Sequence, residues 1–496
     1  MRYFVRVISL VLTLFIMLIT IGCKKSSREA YIYFELPGQP STLDPQTASS
    51  DSELLIVRNI YEGLLRKNES GAVVCGVAQS YKQNGLTYSF TLRNDAVWSN
   101  GEPVTAYDFV FALRRALEPK TESPFASKLY CISNAESVHS GALGSENLGV
   151  TAVDEHNLII TLSNDDPDFI ETLTTPVAMP CNEKFFNESV GKYGLTAETI
   201  LSNGSYSLKK WNKDTFGIRL YKSNEYEGNF KPSNAAVFLT CSDEETPLSL
   251  LKDNNVDMAL IDPADTDESK NFGLKTVSFQ NICWVLTISQ SFSDQMRTSL
   301  AKLVGSNVYE KSLKCGYYAA DSLFPREYGA PEAVKFYGIT AYDLEGGKQL
   351  FAKAVARLED KKFPSSVKLY YYDDGNVKSA VTDIVGHWQK NLGAYINIER
   401  ASESDLLLPE LKNQSYDMAI FPVTANDNTV KNYLNNFGID YNGEDLAAVQ
   451  ASILNGNRII PLFFEDTVIA YTDSLSSVYT ECGNGFIDFS FIIKTE

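Results

Sequence analysis

Residues 88–119 read YSFTLRNDAVWSNGEPVTAYDFVFALRRALEP. Leu86, Tyr88, Phe90 and Leu92 are apolar at period two, with Thr87, Ser89, Thr91 and Arg93 between them. That is the pattern of a strand buried on one face. Asn100-Gly101 supplies the turn that follows. Thr105 precedes Asp108 by three residues, so its hydroxyl can cap the free amides of a first helical turn while the carboxylate reaches back to the cap. Phe109, Ala112, Leu113 and Ala116 continue at helical spacing, and Pro119 disfavours helical geometry at Glu118, where the helix should stop. Strand, tight turn and capped helix make an α/β unit.

The chain has 496 residues, enough for two or three lobes rather than one core. Its 62 Asp and Glu against 44 Lys and Arg leave a net charge of −18, which phosphate backbones repel, so nucleic acid is excluded as a partner. Arg2 and Arg6 precede an apolar run at residues 7–21, followed by Gly22-Cys23-Lys24-Lys25, the layout of a secretory signal. At about 1.5 Å per residue that run falls short of the roughly 30 Å hydrocarbon core of a bilayer. Cys75, Cys131, Cys181, Cys241, Cys283, Cys315 and Cys482 are scattered singly without C-x-x-C, which argues against zinc. They read as small buried hydrophobes, and spacing alone leaves disulfides open.

The letters from Trp98 to Phe109, WSNGEPVTAYDF, closely resemble the signature of the oligopeptide/dipeptide-type extracellular solute-binding proteins, family 5, the extracytoplasmic receptors of ABC importers. Leu43-Asp44-Pro45 and Tyr61-Glu62-Gly63-Leu64 are similar to a second hallmark, with a helix expected over residues 53–65 between them. Gly204-Ser205-Tyr206, Trp211, Ile218-Arg219-Leu220 and Asn224-Glu225-Tyr226 resemble a third, with Ser205 in place of its proline. Arg297, the strand, helix, Leu392-Gly393, strand pattern of residues 367–398, and Ile459-Ile460-Pro461-Leu462-Phe463 extend the likeness to nearly the whole mature chain. Residues 304–307 depart from it. Thr20-Ile21-Gly22-Cys23 resembles a lipobox, with Thr20 where leucine is usual, which makes Cys23 the lipidation site.

The resemblance implies a two-lobe hinged α/β fold of the periplasmic-binding-protein type (class II-like) with an extra small subdomain. Its expected division is 1–22 signal peptide, 23–30 tether, 31–65 first part of lobe I, 66–190 small subdomain, 191–284 second part of lobe I, 285–468 lobe II and 469–496 return to lobe I. It further implies a lipid-anchored monomer on the outer face of the bacterial cytoplasmic membrane or in the periplasm, held by an N-terminal diacylglycerol. There it passes a peptide or related small solute to ABC permease subunits. A non-transport receptor, sensing a signal peptide on the same fold, is the alternative.

A nucleophile elbow, a phosphate loop and H-E-x-x-H are all absent, and His139, His156 and His387 are far apart in sequence, which argues for binding without turnover. No metal or cofactor is implied. The segment Tyr416 to Asn426 resembles the family stretch in which an aromatic-aspartate pair precedes an arginine, a tryptophan and the amine-binding aspartate. Aligned without gaps, those three positions hold Ile420, Val423 and Asn426, with Thr424 between and Asp427 adjacent. Both charges and the stacking face are therefore missing there, which points to a less charged ligand or a blocked-end peptide, or to a cleft that has drifted from transport. Ser49, Asp51, Phe125, Cys283 and Trp284 complete the candidate ligand contacts carried over by position. Trp284 is the preferred one, because a ring near a lobe junction can stack on a ligand without charge.

Overall fold

The computed structural model describes residues 31–212, 217–240, 245–372, 375–401, 416–425, 429–439, 441, 443–478 and 487–495. The signal segment, Cys23, Asn426 and Asp427 lie outside the described residues.

The strand of the opening unit is Thr87–Leu92, with Tyr88, Phe90 and Leu92 buried at 3% exposure or less. Leu86 is not part of that face. Asn84 pairs with Thr87 across a two-residue turn in which Gly85 takes φ of +59°, and Leu86 is left 37% exposed at the tip. The helix is Ala106–Leu117, capped at Thr105 and ended at Glu118 as expected. The Asp108 carboxylate accepts from the Thr105 amide at 2.7 Å and from its hydroxyl at 3.1 Å, so the hydroxyl serves the carboxylate. Trp98, fully buried, donates its indole N–H to the same oxygen at 3.4 Å. Residues 98–109 thus close a buried polar knot, whose desolvation pushes the Asp108 carboxyl up to about 6. This unit belongs to a four-stranded antiparallel sheet ordered Ala78–Asn84, Thr87–Leu92, Asn157–Thr161, Val150–Ala152.

An eleven-stranded mixed sheet forms the frame. Its order is Asn397–Ala401, Lys368–Tyr372, Met418–Val423, Lys275–Ile288, Ile459–Tyr471, Met258–Ile261, Tyr31–Glu35, Ala236–Thr240, Gly217–Lys222, Tyr206–Asn212, with Tyr317–Ala319 also on Ile459–Tyr471. The two long strands, Lys275–Ile288 and Ile459–Tyr471, run antiparallel through the middle, with register shifts at Gln280/Ile282 and Trp284/Val285. On one side of them the core residues come from 32–279 and 468–492, on the other from 283–464. A pair of strands crossing between two cores is the connection a hinge needs.

Several hallmarks turn out to fix local geometry. The helix after Asp44-Pro45 is Asp51–Ile60 and stops short of residue 65, because the Ile60 carbonyl accepts from the Asn203 and Gly204 amides at 3.2 and 2.9 Å. A Cβ on Gly204 would stand 2.8 Å from the Ile60 carbonyl carbon, so only glycine allows that approach. Arg297 donates to the Gly456 carbonyl at 2.8 Å, tying the helix Asp294–Lys302 to the chain entering the last long strand. Lys368–Tyr372 and Asn397–Ala401 pair in parallel around the helix Lys378–Leu392, the expected βαβ unit. Its second strand begins two residues later than Tyr395, which is 64% exposed beyond the left-handed cap at Gly393.

Gly194 carries the strictest backbone demand: its φ is +74° and a Cβ there would lie 2.4 Å from the Asp44 amide nitrogen. Gly194→Ala is expected to lower the unfolding free energy by about 2–4 kcal/mol, combining left-handed strain with overpacking. Urea titration followed by circular dichroism checks this, and a loss under about 0.5 kcal/mol would contradict it.

Candidate functional site

The first lobe and the second face each other across a cavity of about 260 Å³. One wall comes from the helix Asp51–Ile60 (Arg58), the strand Leu65–Lys67 (Lys67) and the loops carrying Lys128, Asp166, Asp168 and Glu171. The other comes from Thr429 and the short helix Val430–Asn435, through Lys431, Asn432 and Asn435. A direct ion pair spans the gap: Lys431 Nζ lies 3.1 Å from Asp166 Oδ2, and Asp166 is only 8% exposed. Burial disfavours the Lys431 charge, but the hydrogen bond and charge of Asp166 outweigh it and hold the lysine above its usual pKa. Lys67 pairs with Glu171 at 2.8 Å on the first-lobe wall. Cys131 sits behind Asp166, where burial and then the carboxylate push its thiol up to about 12, so it stays protonated.

Both signs of charge therefore line one cavity. A larger cavity, about 380 Å³, is lined by residues such as Tyr416, Phe421, Phe437 and Ile439, all within the second lobe. It does not open between the lobes.

The carried-over positions meet a different fate from the cavity walls. Trp284 is 1% exposed, stacked on Phe463 at 5.6 Å between centroids, with its indole N–H donating to Glu465 at 2.6 Å. Its ring has no open face in this conformation. Cys283 is fully buried and paired in register with Val423, which is 4% exposed. Ile420 is fully buried and packs on the opposite side of the same strand, in the core with Trp284. Thr424 shares a 3.3 Å hydrogen bond with Tyr328. Ser49 donates its amide to Glu53 at 2.8 Å, and Asp51 lies exposed in the first turn of its helix. Phe125 comes nearest the cavity. It lines a small recess that shares Arg58, Lys128 and Thr175 with it, and Lys128 Nζ sits 5.3 Å from its ring centroid.

Sequence reading passed over Arg58, Lys67, Lys128, Asp166, Asp168, Glu171 and Lys431, which build the cavity. One signal existed: Arg58 is the lone cation in DSELLIVRNI, directly after the apolar run Leu54-Leu55-Ile56-Val57. Cys75, Cys131, Cys181, Cys283 and Cys315 are free thiols, while Cys241 and Cys482 lie outside the described residues. Among the described residues no group of acidic, His and Cys side chains could hold a metal ion, and no helix is long and apolar enough to cross a membrane.

Two lobes joined by crossing strands, with a charged cavity between them, are the architecture of a hinged binding protein. The comparisons give that class its family. Residues 72–445 match the bacterial extracellular solute-binding proteins, family 5, and the chain belongs to that family. It is 25% identical over 451 residues to the oligopeptide-binding protein OppA of Bacillus subtilis, covering 85% of this chain and 80% of that one. It is 39% identical over 175 residues to the periplasmic murein peptide-binding protein MppA of Escherichia coli, a match spanning 35% of this chain and 32% of that protein's length. The crystal structure of Haemophilus influenzae OppA in complex with RPPGFSPFR superposes with a TM-score of 0.76 at 21% identity, over 94% of this chain and 99% of that one. The two-lobe fold is shared.

Proposed function

We propose that this protein is the lipid-anchored capture subunit of a peptide-type ABC importer, tethered through Cys23, which closes on a short solute and passes it unaltered to permease subunits. One observation carries this reading: the cavity shared by the lobes holds carboxylates and cations together, bridged by Lys431 and Asp166. Burying both ends of a zwitterion is costly unless each finds an opposite charge. Asp166, Asp168 and Glu171 can receive an ammonium, and Lys431, Lys128 and Arg58 a carboxylate. The charges absent from positions 420 and 426 are in this reading supplied from elsewhere, and Asn426 and Asp427, outside the described residues, stay candidate ligand contacts. Cavities for drug-sized ligands run to about 300–1,000 Å³, so a space of about 260 Å³ suits a ligand the size of a very short peptide. The absence of a catalytic motif, together with membership of a solute-binding family, supports binding without turnover.

Titration calorimetry with dialanine, its N-acetyl form and its C-terminal amide tests the reading. Lys431→Ala is expected to weaken dialanine binding by about 10- to 100-fold, the value of a charge-assisted hydrogen bond, while leaving the amide nearly unaffected. Equal weakening of all three, or no binding of any short peptide by the parent chain, would contradict it.

A further inference from the structure

The far end of the large sheet carries a second surface with its own chemistry. In the strands Tyr31–Glu35, Ala236–Thr240 and Gly217–Lys222, the residues Ile32, Phe34, Val237, Leu239, Ile218 and Leu220 point into the core at 3% exposure or less. Alternation sends Tyr31, Tyr33, Phe238, Tyr221 and Arg219 to the other face. Register sets Tyr33, Phe238, Arg219 and Lys210 in one row across four strands, with Tyr31, Ala236 and Tyr221 in the next.

The rings meet around Phe238, whose centroid lies 4.7 Å from Tyr31, 5.1 Å from Tyr33 and 6.2 Å from Tyr221. The Arg219 guanidinium stands 5.1 Å over the same ring. On the neighbouring strands the helix Pro247–Lys252 covers this face, packing Leu248 and Leu251 on Ala259 and Val468. Tyr33 touches that cluster, whereas Tyr31, Phe238 and Tyr221 belong to no hydrophobic core among the described residues. They are half-buried.

In a chain of net charge −18, Arg219 and Lys210 are exposed in this row and form no ion pair among the described residues, while Lys494, 5.6 Å from the Tyr33 ring centroid, is paired with Asp257 at 2.7 Å. Position in the chain adds a third fact. Tyr31, the first strand's first residue, follows Cys23 by only eight positions. Eight extended residues reach about 28 Å at most. Tyrosine, with an apolar body and a polar tip, favours the headgroup level of a bilayer, and basic side chains favour anionic headgroups.

We propose that this aromatic and basic sheet face rests on an anionic phospholipid surface, so that the lobe nearest the tether lies against the membrane with the cleft free. The inference rests on the anchoring proposed above, and its test separates the two. The full chain is reconstituted with vesicles of phosphatidylcholine, with or without phosphatidylglycerol, containing brominated acyl chains that quench nearby tryptophan. Phe238→Trp, with Tyr221→Trp as a second probe should the first disturb the ring cluster, is compared with the parent chain.

Quenching beyond that of the parent is expected in the anionic vesicles, falling at least about threefold at high salt, where the Debye length shrinks to about 3 Å. Arg219→Glu with Lys210→Glu should lower it likewise. Flotation with the vesicles without added quenching would overturn the docking face and leave the anchor standing. Failure to float would overturn both. Quenching that is equal in neutral vesicles and insensitive to salt would overturn the basic residues' role and with it the proposal.

Discussion

Asp44→Ala is expected to lower the unfolding free energy by about 3–5 kcal/mol, the cost of leaving a buried charge without its partner. Asp44 and Arg115 are each 5% exposed, and the guanidinium donates to both carboxylate oxygens, at 2.7 Å to Oδ2. Arg115 also lies over the rings of Phe186 and Tyr193, at 4.5 and 5.5 Å from their centroids, and donates to Gln46. The Leu43-Asp44-Pro45 hallmark is therefore a clamp that fixes the loop before the helix Asp51–Ile60 to the helix Ala106–Leu117. Combining Asp44→Leu with Arg115→Met should recover most of the loss, because a buried ion pair and an apolar pair of similar volume are close in stability. Urea unfolding of the three chains checks this. A single-variant loss under about 1 kcal/mol would mean that the pair is solvated in solution.

Trp284→Ala should destabilise by a similar amount, about 3–5 kcal/mol, the range for deleting a buried aromatic side chain. The ring is held between Phe463 and Tyr372, at 5.6 and 6.1 Å between centroids, and its N–H is bonded to Glu465. Trp284→Phe keeps most of the packing and should cost less. The same variants decide between two roles. A core tryptophan lowers the thermal midpoint and leaves dialanine affinity of the folded protein unchanged. A ligand-stacking tryptophan does the reverse.

What could be read beforehand was local. The strand over Thr87–Leu92, the cap at Thr105 and the βαβ unit around Lys378–Leu392 are set by side chains a few positions apart, which periodicity reports directly. The errors at element ends have tertiary causes: Asn203 and Gly204 take the Ile60 carbonyl and end a helix that propensity alone would continue. The cavity was hidden for a stronger reason. Arg58, Lys128, Asp166 and Lys431 are brought together over hundreds of positions by the crossing strands, and in an acidic chain no single one of them stands out. Conversely, Trp284, Cys283 and Val423 sit on strands leading to the cleft but turn inward, a choice of face that a one-residue shift in register would reverse.

Native mass spectrometry of the purified protein addresses the central claim most directly, because a solute trapped between the lobes travels with them. The account predicts a small noncovalent adduct bearing both an amine and a carboxylate, present on the parent chain and lost from Lys431→Ala and Asp166→Ala. An adduct without ionic groups, or one retained by both variants, would contradict it.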